Sequence, residues 1–161
     1  MSVERVKGYL EKYHMDGRVM ELQLSSATVE LAARALGTQE ARIAKTLSFQ
    51  GQEGYILLVA AGDARIDNAK FKAAFGIKAR MLSPQEVIDH IGHAVGGVCP
   101  FAIENPAVKV YLDESMKRFE TVFPACGSGN SAIEMTLAEL ELTSRSQRWV
   151  DVCKGWQEQT E

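Results

Sequence analysis

The chain has 161 residues, 46% of them hydrophobic and 24% charged, and a formal net charge of −3. That length is close to the commonest size of one domain and buries a core without help from a disulfide or a metal, so a single domain over residues 1–161 is expected. The negative balance argues against broad nucleic-acid binding, and the longest apolar run, Tyr55 to Ala61, is too short to span a bilayer.

Taken in chain order, Val3, Val6 and Leu10 recur at helical spacing and predict a first helix to about Tyr13. This amphipathic start lacks the apolar core of an export signal, so a reducing cytoplasmic compartment is expected. Met20, Leu22 and Leu24 alternate with polar residues as a half-buried strand would. Thr28 to Leu36 reads as a helix stopped by Gly37, followed by a short helical turn from Thr38 and a strand from Lys45 to Gln50. Gly51 to Gly54 has the composition of a hairpin turn, leading into a buried strand from Tyr55 to Ala61.

Asp67 to Phe75 predicts a helix closed by Gly76, then a strand over Ile77 to Met81. Ser83-Pro84-Gln85-Glu86 carries a capping box with proline in the first turn, and Gly92 ends the helix it opens. Gly96 to Phe101 is a loop, Val108 to Leu112 a strand, and Thr121 to Ala125 and Ala132 to Met135 are strands around a glycine-rich turn. Thr136 to Glu139 is a second capping box, and Trp149 to Cys153 a last strand. Strands and helices mix without strict alternation. The expected class is therefore α+β (mixed α/β): a mixed, mostly antiparallel sheet surrounded by helices.

No nucleophile elbow, Walker loop, CxxC or HExxH motif is present. His14, His90 and His93 do not stand at metal-ligand spacing with the cysteines, so neither a metal nor a cofactor is expected. Cys99, Cys126 and Cys153 are odd in number and read as free thiols. A Cys99–His93 pair is conceivable, and a cysteine-dependent hydrolase using Cys99 or Cys126 is one rival reading.

Three features stand out. Lys45 sits in an otherwise apolar strand, either to hold an anion such as a phosphate or as a lysine snorkelling from a strand end. The loop from Gly96 through Gly97 to Pro100 and Phe101 either admits a close backbone approach to a ligand or is a plain turn. The stretch around Gly127 and Ser128 either offers a nest of amide donors or is a hairpin turn. Charge is uneven: Arg34 to Arg80 holds eight basic and four acidic residues, enough for a local basic face.

In their order and spacing these features resemble the YbaK/ProX family of aminoacyl-tRNA deacylases, whose domain also occurs inserted in bacterial prolyl-tRNA synthetases. The likeness runs from about Ser26 to Lys154. It comprises the helix ending ALG, ARIAKTLSF, YILLVAAGDARID, VGGVCPF, VKVYLDESM, and ACGSGNSAIEMTLAEL leading to VDVCK. It implies a YbaK-like fold and hydrolysis, without a metal or a covalent nucleophile, of the ester of a mischarged aminoacyl-tRNA. Mischarged tRNA for proline and Cys-tRNA are the first candidates.

By the same resemblance Lys45 and Gly97 act in catalysis, while Gly96, Pro100, Phe101, Asp113, Gly127 and Ser128 line the substrate cleft. The implied partners are the 3′ end of aminoacyl-tRNA and a prolyl-tRNA synthetase, with no membrane. The alternative is a catalytically inactive tRNA- or synthetase-associated binding module. Two positions depart from common members: Ala102 follows the PF where many carry glycine, and His93 stands where others carry tyrosine or another bulky residue. These departures leave the amino acid open among cysteine, alanine, serine and proline.

Overall fold

The computed structural model describes residues 2–157, so the ends of the domain expected over 1–161 lie outside the described residues. Its centre is the hairpin of β2 (Ile43–Gln50) and β3 (Tyr55–Ala61), paired antiparallel from Ala44↔Ala61 to Gln50↔Tyr55. The turn between them closes through the Gly51 amide, which donates to the Gly54 carbonyl at 2.7 Å. β3 is buried from Ile56 to Ala61, as a strand with neighbours on both edges should be.

Around that hairpin runs a six-stranded sheet. β5 (Val108–Asp113) lies parallel beside β3, and β9 (Arg148–Val150) parallel beside β5. On the other edge β6 (Thr121–Pro124) lies parallel beside β2, and β8 (Met135–Thr136) antiparallel beside β6. Two small antiparallel sheets complete the described residues. One joins β1 (Met20–Glu21) to β7 (Ser131–Ala132), the other β4 (Arg65–Ile66) to β10 (Cys153–Lys154). The sheet is mixed, as expected. Antiparallel pairing prevails once the small sheets are included, while parallel neighbours are concentrated in the large one.

The helices begin and end on the signals in the sequence. α1 (Ser2–Leu10) buries Val3, Val6 and Leu10 and continues as a 3-10 turn over Glu11–Tyr13. α2 (Val29–Leu36) is capped by the Thr28 side chain and ended by Gly37, and α3 (Asn68–Phe75) is capped by Asp67 and ended by Gly76. α3 is pinned to the sheet by an aromatic chain with ring separations of 4.8 Å for Phe49–Phe71, 4.7 Å for Phe71–Phe75 and 4.9 Å for Phe75–Tyr111. α4 (Pro84–Glu86) opens on the Ser83 capping box and widens into π geometry over Val87–Ile91, where the Gly92 amide reaches back to the Val87 carbonyl. α5 (Leu137–Ser144) follows the second capping box.

Four expectations need correction. The strand read over Ala132 to Met135 is two: Ala132 ends β7 beside β1 and Met135 opens β8 beside β6, and between them the Ile133 amide donates to the Pro124 carbonyl. Ile77 to Met81 is not a strand: the chain meets β2 only from Arg80 on, where the Gln50 amide donates to the Arg80 carbonyl, Met81 bridges Phe49 and the Leu82 amide donates to the Ser48 carbonyl. The strand read over Met20 to Leu24 stops at Glu21. The Leu22 amide instead donates to the Asn130 carbonyl, and Leu24 is exposed. The last strand divides into β9 and β10 because Val152, between them, gives its amide to Asp113 rather than to a sheet neighbour.

The second capping box carries more than a helix end. Thr136 Oγ1 accepts from the Glu139 amide at 3.1 Å and Glu139 accepts from the Thr136 amide at 2.9 Å. The same carboxylate receives both terminal nitrogens of Arg18, which, with the backbone donor, holds its pKa down to about 2. Thr136→Ala should therefore lower unfolding stability by about 1 kcal/mol, read from urea denaturation.

Candidate functional site

Along one face of β2 the successive side chains Ala44, Thr46 and Ser48 are small. α2 stands off from this strand and leaves a cavity of about 300 Å³ between them. Val29, Ala32 and Leu36 of α2 form one wall and Ser26, ahead of the helix, one end. Leu82 and Val87 line it from the start of α4, Val95, Gly96 and Val98 from the following loop, and Ala125, Ser131 and Ala132 from the glycine-rich turn. Lys45 is the one charged residue among those lining the cavity, and no carboxylate faces it there.

Lys45 is half-buried, and its ammonium donates to the carbonyls of Gly62, at 3.3 Å, and of Ala64. Burial pulls its pKa below the ordinary lysine value, and the nearby Cys153, Asp63 and Asp113 oppose that shift. Asp63 is itself held by Arg118 in a two-pronged ion pair at 2.9 and 2.6 Å. Asp113 is fully buried and accepts the amides of Ser115 at 2.9 Å and Val152 at 3.0 Å. It does not line the cavity; it fixes the end of β5 and adds negative potential behind Lys45.

The two glycine loops meet. A Cβ on Gly97 would fall 2.6 Å from the Gly127 carbonyl carbon and the Ser128 nitrogen, so the backbones touch where any side chain would clash. Gly96, at φ +97°, reaches the cavity. Gly97, Pro100 and Phe101 do not: they are buried behind it. Ser128 spends its hydroxyl on Asn130 at 2.9 Å and Ser131 at 2.8 Å, and so holds the cavity-lining Ser131 in place. Lys45 and Gly96 thus lie on the cavity, and Gly97, Gly127 and Ser128 form the packed layer beneath the loop.

Cys99 and His93 do come together, with the sulfur 3.6 Å from Nε2. Both are buried, and burial pushes the Cys99 pKa up to about 12, which keeps it a neutral thiol and a poor nucleophile. Burial likewise raises the pKa of Cys126 and of Cys153. All three cysteines are free and buried, as expected. His93 Nε2 lies 2.8 Å from the Phe101 carbonyl, and the ring, as donor, anchors the loop there. Among the described residues no group of three or more His, Cys, Asp or Glu side chains could hold a metal ion, and no helix is long and apolar enough to cross a membrane.

Much of the basic excess between Arg34 and Arg80 is paired within the protein. Arg34 meets Glu30 at 3.3 Å, Arg42 meets Glu134 at 3.1 Å, Lys70 meets Asp151 at 3.2 Å and Arg80 meets Glu86 at 3.6 Å. Lys72 and Lys78 are exposed and make no ion pair among the described residues.

The sequence profile of the aminoacyl-tRNA editing domain matches residues 25–142, which takes in α2, β2, both glycine loops and the start of α5. The chain belongs to the aminoacyl-tRNA editing domain family. The family likeness read from the order of the motifs is thereby borne out. The chain is 54% identical to the Bacillus subtilis protein YwhH, described as uncharacterized, over 98% of this chain and 100% of that one. It is 28% identical to a proline–tRNA ligase of Thermosipho melanesiensis over 78% of this chain and 22% of the ligase, so it spans about a fifth of that enzyme's length.

Among solved structures, one described as a candidate trans-editing enzyme for prolyl tRNA synthetase superposes with a TM-score of 0.86. Its identity is 33%, and the match covers 96% of this chain and 98% of that one. The hypothetical protein APE2540 superposes with a TM-score of 0.81 at 27% identity, over 93% of this chain and 99% of that one. The mixed α+β editing-domain fold is the expected one.

The sequence reading missed Ser26, Thr46 and the α2 wall of this editing domain. The run of small residues at alternate positions of β2 was the available signal for Thr46; Ser26 had none. The family departure at Ala102 also acquires a shape. Ala102 takes φ +58°, a left-handed conformation that glycine adopts without steric cost.

Two tests follow from this loop. Ala102→Gly should raise stability by up to about 1 kcal/mol in denaturant unfolding. Burial, the larger influence, and Arg5 lower the His93 pKa from 6.5, against the Phe101 hydrogen bond, so below that pH the unfolded chain takes up a proton that the folded one refuses. Stability should therefore fall as pH drops below about 6.5, and His93→Gln should flatten that acid slope in thermal melts.

Proposed function

We propose that this chain is a trans-editing aminoacyl-tRNA deacylase acting in the cytoplasm on the 3′ end of mischarged tRNA, tRNA for proline or Cys-tRNA first among candidates. The observation that carries the reading is Lys45, a lone half-buried cation on a cavity without carboxylates, in a chain of the editing-domain family. An ammonium has three donors, and two of them are engaged by Gly62 and Ala64. The third is left for a phosphate or the developing ester oxyanion. The likeness to the solved candidate trans-editing enzyme for prolyl tRNA synthetase and to proline–tRNA ligases supports tRNA as the substrate and a prolyl-tRNA synthetase as the associated partner.

The reaction is ester hydrolysis. Water adds to the acyl carbon, the bond to the ribose oxygen breaks, and the proton from water passes to that oxygen. An aminoacyl ester is already activated, so orientation and charge stabilisation supply the acceleration. Lys45 is assigned the charge stabilisation and Gly96 the approach of backbone to the ester. Gly97, Pro100, Phe101, Gly127 and Ser128 are assigned the positioning of that loop, and Asp113 the setting of the potential around Lys45.

Lys45→Ala should lower single-turnover deacylation by about a hundredfold or more, since a partly desolvated charge contact is worth a few kcal/mol. Thermal stability should change little. Near-wild-type turnover by this variant on a substrate the native protein hydrolyses would refute the assignment.

A further inference from the structure

Buried hydroxyls in proteins almost always carry a hydrogen-bond partner, because water is no longer there to supply one. Among the described residues the exceptions are Ser26 Oγ, Thr46 Oγ1, His93 Nδ1 and Trp156 Nε1. Ser26 and Thr46 line the same cavity. They reach it from different elements, Ser26 from the segment ahead of α2 and Thr46 from the middle of β2. Both backbones are fixed. The Ser26 amide donates to the Gly129 carbonyl at 2.7 Å, and Thr46 is registered opposite Val59 in the central hairpin. Ser26 is only 8% exposed. Each side chain keeps its staggered rotamers about the Cα–Cβ bond, through which a hydroxyl can turn toward a ligand in the cavity.

The charge of the cavity narrows what these oxygens can meet. With no carboxylate among the lining residues, the α-amino group of an aminoacyl ester gains no counter-charge there, and the two oxygens are left to a neutral polar group. The one cation, Lys45, stands next to Thr46 in β2 and sends its ammonium to Gly62 and Ala64, off the strand face that carries Thr46, so it is the partner of neither hydroxyl. A hydroxyl both donates and accepts, and its natural complement in a stretch of wall without charge is another hydroxyl. An aminoacyl-ribose ester offers hydroxyls from two sources, the ribose and the side chains of some amino acids.

We propose that Ser26 and Thr46 form a specificity subsite that reads a neutral hydroxyl of the bound aminoacyl-ribose ester. This rests on the deacylase reading. It goes beyond it in naming the chemistry recognised and the two side chains that recognise it. Isosteric removal of either hydroxyl leaves the substrate's group buried without a partner, so discrimination is lost while the fold is unharmed.

The test compares wild-type protein with Thr46→Val, Thr46→Ser and Ser26→Ala, using tRNA charged with serine, threonine, alanine or 2-aminobutyrate. Thr46→Val and Ser26→Ala should each lower kcat/KM by about ten- to a hundredfold, and Thr46→Ser should restore it to within a few-fold. Thermal midpoints should be unchanged or higher, because each removed hydroxyl had no partner to lose. A loss confined to the seryl and threonyl esters assigns the hydroxyl to the side chain; a loss shared by all four assigns it to the ribose. Full wild-type efficiency in both deletion variants, or a Thr46→Ser protein as defective as Thr46→Val, would overturn the subsite.

Titration with the non-hydrolysable amide 3′-serylamino-adenosine separates this from the deacylase reading. Binding by wild type that weakens in Thr46→Val, without hydrolysis of any ester, sustains the subsite and refutes the enzyme. Hydrolysis that both deletions leave untouched does the reverse. Neither binding nor hydrolysis by wild type overturns both.

Discussion

The site is built on a contact between two backbones. Gly97 packs against Gly127 and Ser128 with no space for a Cβ between them, and that contact joins the two glycine loops that line the cavity. From Gly97 the chain runs one residue back to the cavity at Gly96 and forward to the buried Cys99 and Phe101. From Gly127 it runs through Ser128 to Ser131 and Ala132, which close the far wall and pair with β1. A methyl group at residue 97 would stand 2.6 Å from backbone atoms of Gly127 and Ser128, well inside van der Waals contact, and packed interiors have little slack to absorb that.

The second constraint is electrostatic. An ammonium half removed from water needs compensation. Here it comes from two carbonyls in contact and two carboxylates at longer range, one of them tied to Arg118 and the other to backbone amides. Because those carboxylates are satisfied by other donors, they lend Lys45 potential without forming an ion pair with it. The lysine stays oriented and retains a donor for something else. A direct salt bridge would have anchored the side chain more firmly and left it less to offer.

The elements legible in the sequence are those whose signals are local. Caps at Thr28, Asp67, Ser83 and Thr136 and stops at Gly37, Gly76 and Gly92 are short-range chemistry, and the structure places helix ends on each of them. The hairpin of β2 and β3 followed from a turn and two apolar runs. Partnership was not legible. Nothing near Arg148 announces that it lies parallel to Tyr111, or near Met81 that it bridges only Phe49. In the site, Lys45 was conspicuous because charge is rare in an apolar strand. Asp113 was singled out by the family likeness, while its burial and its two amide contacts depend on residues that fold against it from further along the chain.

That last dependence has a bearing on how the molecule is made. The Asp113 carboxylate is capped by the amide of Val152, the free edge of β5 is covered by residues 148–150, and β4 is paired by residues 153–154. A nascent chain that has emerged only as far as α5 therefore carries a buried carboxylate short of one donor and a hydrophobic strand with an open edge. During translation this domain must wait for its final strands before the Lys45 environment is complete, and until then the exposed flank of β5 is the surface that a ribosome-associated chaperone would have to shield.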